Sequence, residues 1–368
     1  MNKSRIGSAA ALATAALLLY LFDTSRLAAS VCARQPQAAD AGPDLKRGIE
    51  LYQKGAFNEA LEALREATRK HKNDAEAWHF LGLTLFKTND LKGARKAFET
   101  SSQLRPGFAP THYNLAYVLL LTNKTSEAAR EARRALELDA NVAEAHYILG
   151  MAYLREGSAS MALEEAEAAL KLQSALPLAF LLKSQALTYL YAEQPGKLTK
   201  EISLRPLDEA TRATLMEEAK KRAALLKGAA DSLEQYLKLA PEDPASASWR
   251  AQMETLRTYT QPAGKDQSDT ARAFFAPGEV DVKARILSRP NPSYTEQARK
   301  AQISGMVVVR AILAADRTVK HVLVIRALPF GLTEEAVRAA REIKFEPAMK
   351  DGQPVSQIVQ IEYEFSVY

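Results

Sequence analysis

Residues Ala75–Phe108 read AEAWHFLGLTLFKTNDLKGARKAFETSSQLRPGF, and this stretch decides the fold. Trp78, Leu81 and Leu85 recur at three- and four-residue intervals, the period of one helix face. Ala94 and Phe98 do so again beyond Asn89-Asp90. Asn73-Asp74, Asn89-Asp90 and Asn123 stand where turns and helix caps are needed. Gly82 lies inside the first helix, where glycine costs ~1 kcal/mol relative to alanine. That cost is tolerable where a missing side chain lets a partner helix approach. Working outward, the same chemistry returns every 34 residues: Gly48, Gly82, Ala116, Gly150 and Ser184 form one series. Ala60, Ala94, Ala128 and Ala162 form a second, and Ala67, Ser101, Ala135 and Ala169 a third. Three series sharing one period argue against an alanine-rich bundle with accidental spacing.

With Trp78, Leu81, Gly82, Leu85, Ala94, Phe98 and Pro106 in these places, the stretch resembles the tetratricopeptide repeat (TPR), two antiparallel helices per unit. Four units run from Ala41 to about Leu176, and Pro177–Tyr191 reads as the first helix of a fifth, so residues 41–192 are assigned to the solenoid. Glu193–Pro206 carries two prolines and a glycine and reads as an inserted loop. A long polar helix from Leu207 to about Ala240 and a last helix in Pro244–Thr260 make residues 193–260 a degenerate, capping region. The resemblance implies that a peptide or protein binds the concave face. It places Tyr52, His79, Phe86, Tyr113, Tyr117, Tyr147 and Leu154 there. Packing between repeats is an equal use for these aromatics. Asn114 alone does not supply the carboxylate clamp of chaperone-binding members.

The totals narrow the function. A net charge of +5 over 368 residues, with no basic block carrying interleaved aromatics, argues against nucleic-acid binding. A lone Cys32 can build neither an internal disulfide nor a multi-cysteine zinc site. At the start, Lys3 and Arg5 precede an apolar run from Ala9 to Phe22, and small residues come next at Ala28-Ala29-Ser30 and Val31-Cys32-Ala33. Residues 1–33 therefore read as a cleaved export signal or, with the run extended back to Ile6, as an N-terminal membrane anchor. Either places the remainder in the periplasm. Val31 is too bulky for a good lipoprotein site at Cys32.

Beyond Gln261–Glu279, read as a linker, the period changes from helix to strand. Ile303–Leu313 and Val319–Leu328 are strand-like about a turn at Asp316-Arg317. Leu332, Ala336, Ala340 and Ile343 keep helical spacing. After Lys350-Asp351-Gly352 turns the chain, Ser356–Val367 alternates. Val359, Ile361, Tyr363, Phe365 and Val367 face one way, and Gln360, Glu362 and Glu364 the other.

From Ser288 onward the landmarks are Pro290, Tyr294, Ala298-Arg299, Gly305 before Val307-Val308-Val309, Leu332 with Ala336 and Ala339, Phe345-Glu346-Pro347-Ala348, Gly352 and Pro354. Residues 280–368 thus resemble the TonB C-terminal domain. Leu328-Pro329-Phe330-Gly331-Leu332 is similar to a branch of that family in which repeats precede the domain. Thr295 replaces a customary proline, and Arg317 stands where a turn glycine is expected. Arginine is strained at positive φ, which points to another turn type for that hairpin.

The fold expected is an α-helical TPR solenoid followed by a small α+β domain. Its antiparallel three-stranded sheet is ordered second strand, first strand, last strand. The resemblance implies that the last strand is an edge accepting the TonB box of an outer-membrane transporter by strand addition, through Gln357, Val359, Ile361, Tyr363 and Phe365. Blocking of that edge by Glu362, Glu364 or the alternating Val280–Ile286 segment, which could itself pair there, is the competing outcome. An ExbB–ExbD type motor would be the second partner of an energy transducer. A non-transducing periplasmic TPR adaptor is the alternative reading. No H-E-x-x-H, nucleotide-binding glycine loop or G-x-S-x-G turn is present, so the sequence implies no enzyme, no cofactor and no metal. His112 and His146, 34 apart, occupy the repeat position of Trp78 and read as packing residues.

Overall fold

The computed structural model describes residues 42–193, 209–243, 245–260, 274–276 and 278–367. The export signal or anchor expected in residues 1–33, the inserted loop and most of the linker lie outside the described residues. The chain forms two compact units that divide at Leu176/Pro177.

Among the described residues the first unit is a stack of eight helices: α1 Pro43–Gln53, α2 Phe57–Lys70, α3 Ala75–Lys87, α4 Leu91–Leu104, α5 Ala109–Leu121, α6 Thr125–Leu138, α7 Ala143–Arg155 and α8 Ala159–Leu172. They pair α1 with α2, α3 with α4, α5 with α6 and α7 with α8. The steric reading of the period holds. A Cβ on Gly82 would sit 2.7 Å from the Phe98 ring, and one on Gly48 would sit 2.6 Å from Leu64. Ala60, Ala94, Ala128 and Ala162 are fully buried. Asp74 accepts from the Glu76 and Ala77 amides at the start of α3, and Asp90 accepts from Gly93 at the start of α4. Asn89 and Asn123 take positive φ at the turns, a conformation asparagine tolerates better than most residues. His112 and His146 do more than pack. Each ring reaches the carboxylate nineteen residues ahead, His112 to Glu131 at 2.9 Å and His146 to Glu165 at 2.6 Å, tying the two helices of its repeat.

The second unit opens with α9 Pro177–Glu193, α10 Glu209–Leu239 and α11 Ser246–Thr260. α9 pairs with α10, and α10 with α11. By compactness α9 therefore groups with the later helices and the sheet, whereas its sequence reads as the opening of a fifth repeat. Buried Asp243 fixes the α10–α11 turn, accepting from Tyr236 at 2.6 Å and from the Ala245 amide at 2.9 Å.

The rest of the unit comprises β1 Arg285–Ser288, α12 Glu296–Lys300, β2 Gly305–Leu313, β3 Val319–Arg326, α13 Leu332–Arg341, β4 Lys344–Glu346, β5 Ala348–Lys350, β6 Gln353–Val355 and β7 Gln357–Phe365. The three-stranded sheet is antiparallel in the order β3-β2-β7, as the patterning requires. Leu332, Ala336, Ala339 and Ala340 of α13 share a core with Val307, Val309, Ala311 and Leu313 of β2 and with Ile361, Tyr363 and Phe365 of β7. On β3 the other set, Leu323 and Ile325, is buried too, and α9 and α11 neighbour that strand.

Two departures resolve physically. Arg317 does adopt positive φ, at 65°, so the hairpin keeps the turn that glycine would favour. Asp316 supports it by accepting from the Thr318 amide at 3.1 Å, and Ala314 donates to Thr318 O at 3.0 Å. Thr295, in the proline's place, caps α12, accepting from the Ala298 amide at 3.2 Å and donating to Phe330 O at 2.7 Å. The Val280–Ile286 segment does not pair with the β7 backbone. Arg285 and Ile286 lie opposite Glu346 and Phe345 of β4, and Val282 bridges Met349.

Candidate functional site

An open strand can receive a partner only through main-chain groups that point away from its own sheet, and these alternate along the chain. On β7 the phase is fixed at one end. The Phe275 amide donates to Ser356 O at 2.8 Å, and the Ile358 amide donates to Phe275 O at 2.9 Å. Even-numbered residues therefore turn their backbone outward, and odd-numbered ones turn it toward β2. Arg289, whose guanidinium sits 4.6 Å from the centre of the Tyr363 ring, donates to Glu362 O and obeys the same phase.

This geometry redistributes the residues expected at the edge. Gln357, Val359, Ile361, Tyr363 and Phe365 direct their backbone into the sheet. Ile361, Tyr363 and Phe365 place their side chains in the core, and burial raises the Tyr363 phenol above its ordinary pKa. Gln357 is buried and accepts from the Ala284 amide at 2.9 Å. The outward row is Ile358, Gln360, Glu362 and Glu364, the last three with exposed side chains. Among the described residues no strand pairs with this row; it is met only by the Phe275 bridge at its start and by Arg289 at Glu362 O.

Phe275 anchors that bridge. Its side chain is buried with Val280, Ala348 and Val355, and Lys350 stands 4.9 Å from its ring centre. The linker thus occupies the first residues of the edge, and from Gln360 to Glu364 the outward main chain is met only at Glu362 O, by Arg289. On β1, Ile286 and Leu287 are exposed.

The aromatics expected in the repeat groove are mostly interior. Tyr52, His79, Tyr113, Tyr117 and Tyr147 are buried, while Phe86 and Leu154 keep intermediate exposure. His79 packs edge-on to Phe80 and Phe108, and its Nδ1 lies 2.9 Å from Thr111 Oγ1. Burial lowers its pKa to about 3, which fits a neutral core imidazole. Phe86 and Tyr117 meet at 5.6 Å between ring centres. Arg155, which carries no signal in the sequence, donates to Leu120 O, and burial lowers its pKa to about 10.

Among the described residues no helix is long and apolar enough to cross a membrane, and no three His, Cys, Asp or Glu side chains cluster to hold a metal.

A helical repeat stack and a small α+β region whose sheet ends, among the described residues, on β3 and β7 are the parts of a protein-binding class of molecule. Similarity to known proteins agrees with that class. Residues 290–367 match the Gram-negative bacterial TonB protein C-terminal family, and residues 45–107 and 113–177 match the tetratricopeptide repeat. The chain carries a TonB C-terminal domain preceded by TPR repeats. It is 28% identical over 109 residues to Protein TonB of Vibrio cholerae, an alignment covering 29% of this chain and 43% of that protein. The chain thus spans less than half the length of that curated relative.

Among solved structures, MamA aligns with 18% identity and a TM-score of 0.40, over 56% of this chain and 92% of that one. YrrB, described as a TPR protein with an unusual peptide-binding site, aligns with 19% identity and a TM-score of 0.41, over 57% and 92%. TonB C-terminal and TPR domains are non-catalytic binding domains. The first implies a cell-envelope setting, and the second implies protein binding.

Proposed function

We propose that this chain captures an extended segment of an outer-membrane transporter, its TonB box, by strand addition along β7. The supporting observation is the outward row at Gln360, Glu362 and Glu364, which takes no strand partner among the described residues. A strand laid there makes roughly four or five backbone hydrogen bonds at ~0.5–1.5 kcal/mol each. Ordering the incoming segment costs ~1–2 kcal/mol per residue, so this contact alone is weak and reversible. A second grip by the repeat stack, through surface that includes Phe86 and Leu154, would add avidity.

In this reading the protein serves TonB-family energy transduction, coupling an inner-membrane motor of the ExbB–ExbD type to the transporter. A periplasmic adaptor that transmits no force is the second reading. It is favoured by the repeat stack standing where transducers of this family usually carry a proline-rich tether. Both readings use the same edge, and the N-terminus of the mature chain separates them: force transmission needs residues 1–33 retained as an anchor.

Disulfide mapping tests the shared part. With Cys32 replaced by serine, a cysteine at Gln360 or Glu364 is paired with cysteines walked through the transporter's N-terminal segment. Strand addition predicts cross-linking at every second position of that segment. Uniform or absent cross-linking contradicts it.

A further inference from the structure

A three-stranded sheet has two edges, and β3 carries the other. We propose that Gln252, projecting from α11, closes the β3 edge to strand addition and leaves β7 as the sheet's receiving side. Gln252 Nε2 donates to Val322 O at 2.8 Å, and the Val324 amide donates to Gln252 Oε1 at 2.9 Å. These two groups belong to the outward row of β3 and are the pair that one residue of a parallel neighbouring strand would engage, as Phe275 does on β7. One side-chain amide, offering one acceptor and a donor, reproduces that pattern.

The surroundings hold it in place. Gln252 is buried, and Leu256 and Tyr259 on the same helix are buried with it. Tyr259 donates to His321 O at 3.3 Å. His321 has φ of 48° beside an irregularity in the β2–β3 register, so the strand is bent where the helix meets it. From β2, Arg310 reaches Ala192 O of α9 at 2.9 Å and lies 5.3 Å from the Tyr191 ring centre, a second tie between helices and sheet. A buried glutamine whose amide merely needed partners could find them on its own helix or a loop. Here both ends meet the main chain of one strand, two residues apart. An unguarded strand margin invites pairing with another chain, and covering it with a helix is one way to prevent that.

Closure of β3 stands independently of what β7 binds; the restriction of strand addition to β7 rests on the function proposed above. The test uses the full chain with Gln252→Met, which keeps the shape and loses both hydrogen bonds. Hydrogen–deuterium exchange at the Val324 amide is expected to accelerate by about two- to tenfold, the effect of one lost hydrogen bond. Sedimentation velocity is expected to show concentration-dependent, open-ended assemblies, because an opened β3 of one copy can pair head-to-tail with β7 of a second copy. Adding Gln360→Pro, which removes an outward N–H of β7, should return the parent's distribution.

Unchanged Val324 exchange, or unchanged sedimentation, overturns the closure. Association that persists in the double variant supports closure of β3 and counts against β7 as the receiving edge. Should Gln252→Met fail to fold, Gln252→Glu keeps the acceptor for Val324 and loses the donor to Val322. Its assembly should be intermediate, and assembly equal to the parent's again overturns the proposal.

Discussion

Glu362→Pro and Ile361→Pro, adjacent substitutions with identical chemistry, should have opposite consequences. Glu362 is exposed, and its N–H belongs to the outward row, so proline removes a donor that β2 does not use. Proline is tolerated on an edge strand when its missing N–H faces away from the sheet. We expect the fold to lose at most about 1 kcal/mol. A bound strand loses one hydrogen bond of ~0.5–1.5 kcal/mol and also meets the pyrrolidine ring, which together weaken capture by roughly tenfold. Ile361 is 3% exposed and turns its N–H into the β2–β7 ladder. Proline there deletes a ladder bond and most of a core side chain, at a cost of about 3–5 kcal/mol of stability. The assay is calorimetric titration with a peptide copying the transporter's N-terminal segment, alongside thermal melting monitored by near-ultraviolet dichroism. Parent-like binding by Glu362→Pro together with a stable, binding-deficient Ile361→Pro would refute the assignment of the outward row.

Other outcomes come from packing and protonation. Gly82→Ala places a Cβ 2.7 Å from the Phe98 ring and should cost the repeat stack about 1–3 kcal/mol, read as a lowered denaturation midpoint. Phe275→Ala should release the bridge to Ser356 and Ile358, accelerate exchange of the Ile358 amide and strengthen peptide capture by lengthening the free edge. His79 has its pKa lowered to about 3 by burial, so below pH ~6.5 the unfolded chain binds a proton that the folded chain refuses. Stability should therefore fall with pH from ~6.5 toward 3, by up to ~1.4 kcal/mol per pH unit from this group, and His79→Gln should flatten that slope in urea titrations.

The repeats were legible because their period is steric: Gly48 and Gly82 mark points of helix contact that tolerate no side chain. The sheet order was legible because the alternation in Ser356–Val367 and the hairpin spacing leave few other arrangements. Which backbone row of β7 faces outward was not. Side-chain alternation identifies the buried face, and the in-plane direction of each N–H is fixed by contacts such as Phe275 with Ile358. A single bridging residue in a linker carries no periodic signal. Nor does Gln252, one polar residue in a helix, whose role comes from Val322 and Val324, about seventy positions away. The repeat aromatics left groove and seam equally open for a related reason. Tyr113 and Tyr147 occupy repeat positions that can line a surface or fill a seam, and here they are buried.

Amide exchange of the full chain, with and without the transporter peptide, tests the central claim most directly. Strand addition along β7 predicts new protection at Gln360, Glu362 and Glu364, with Ile361 and Tyr363 already slow and Val322–Val324 unchanged. Protection gained at β3, or bound peptide with no change at those three amides, would contradict it.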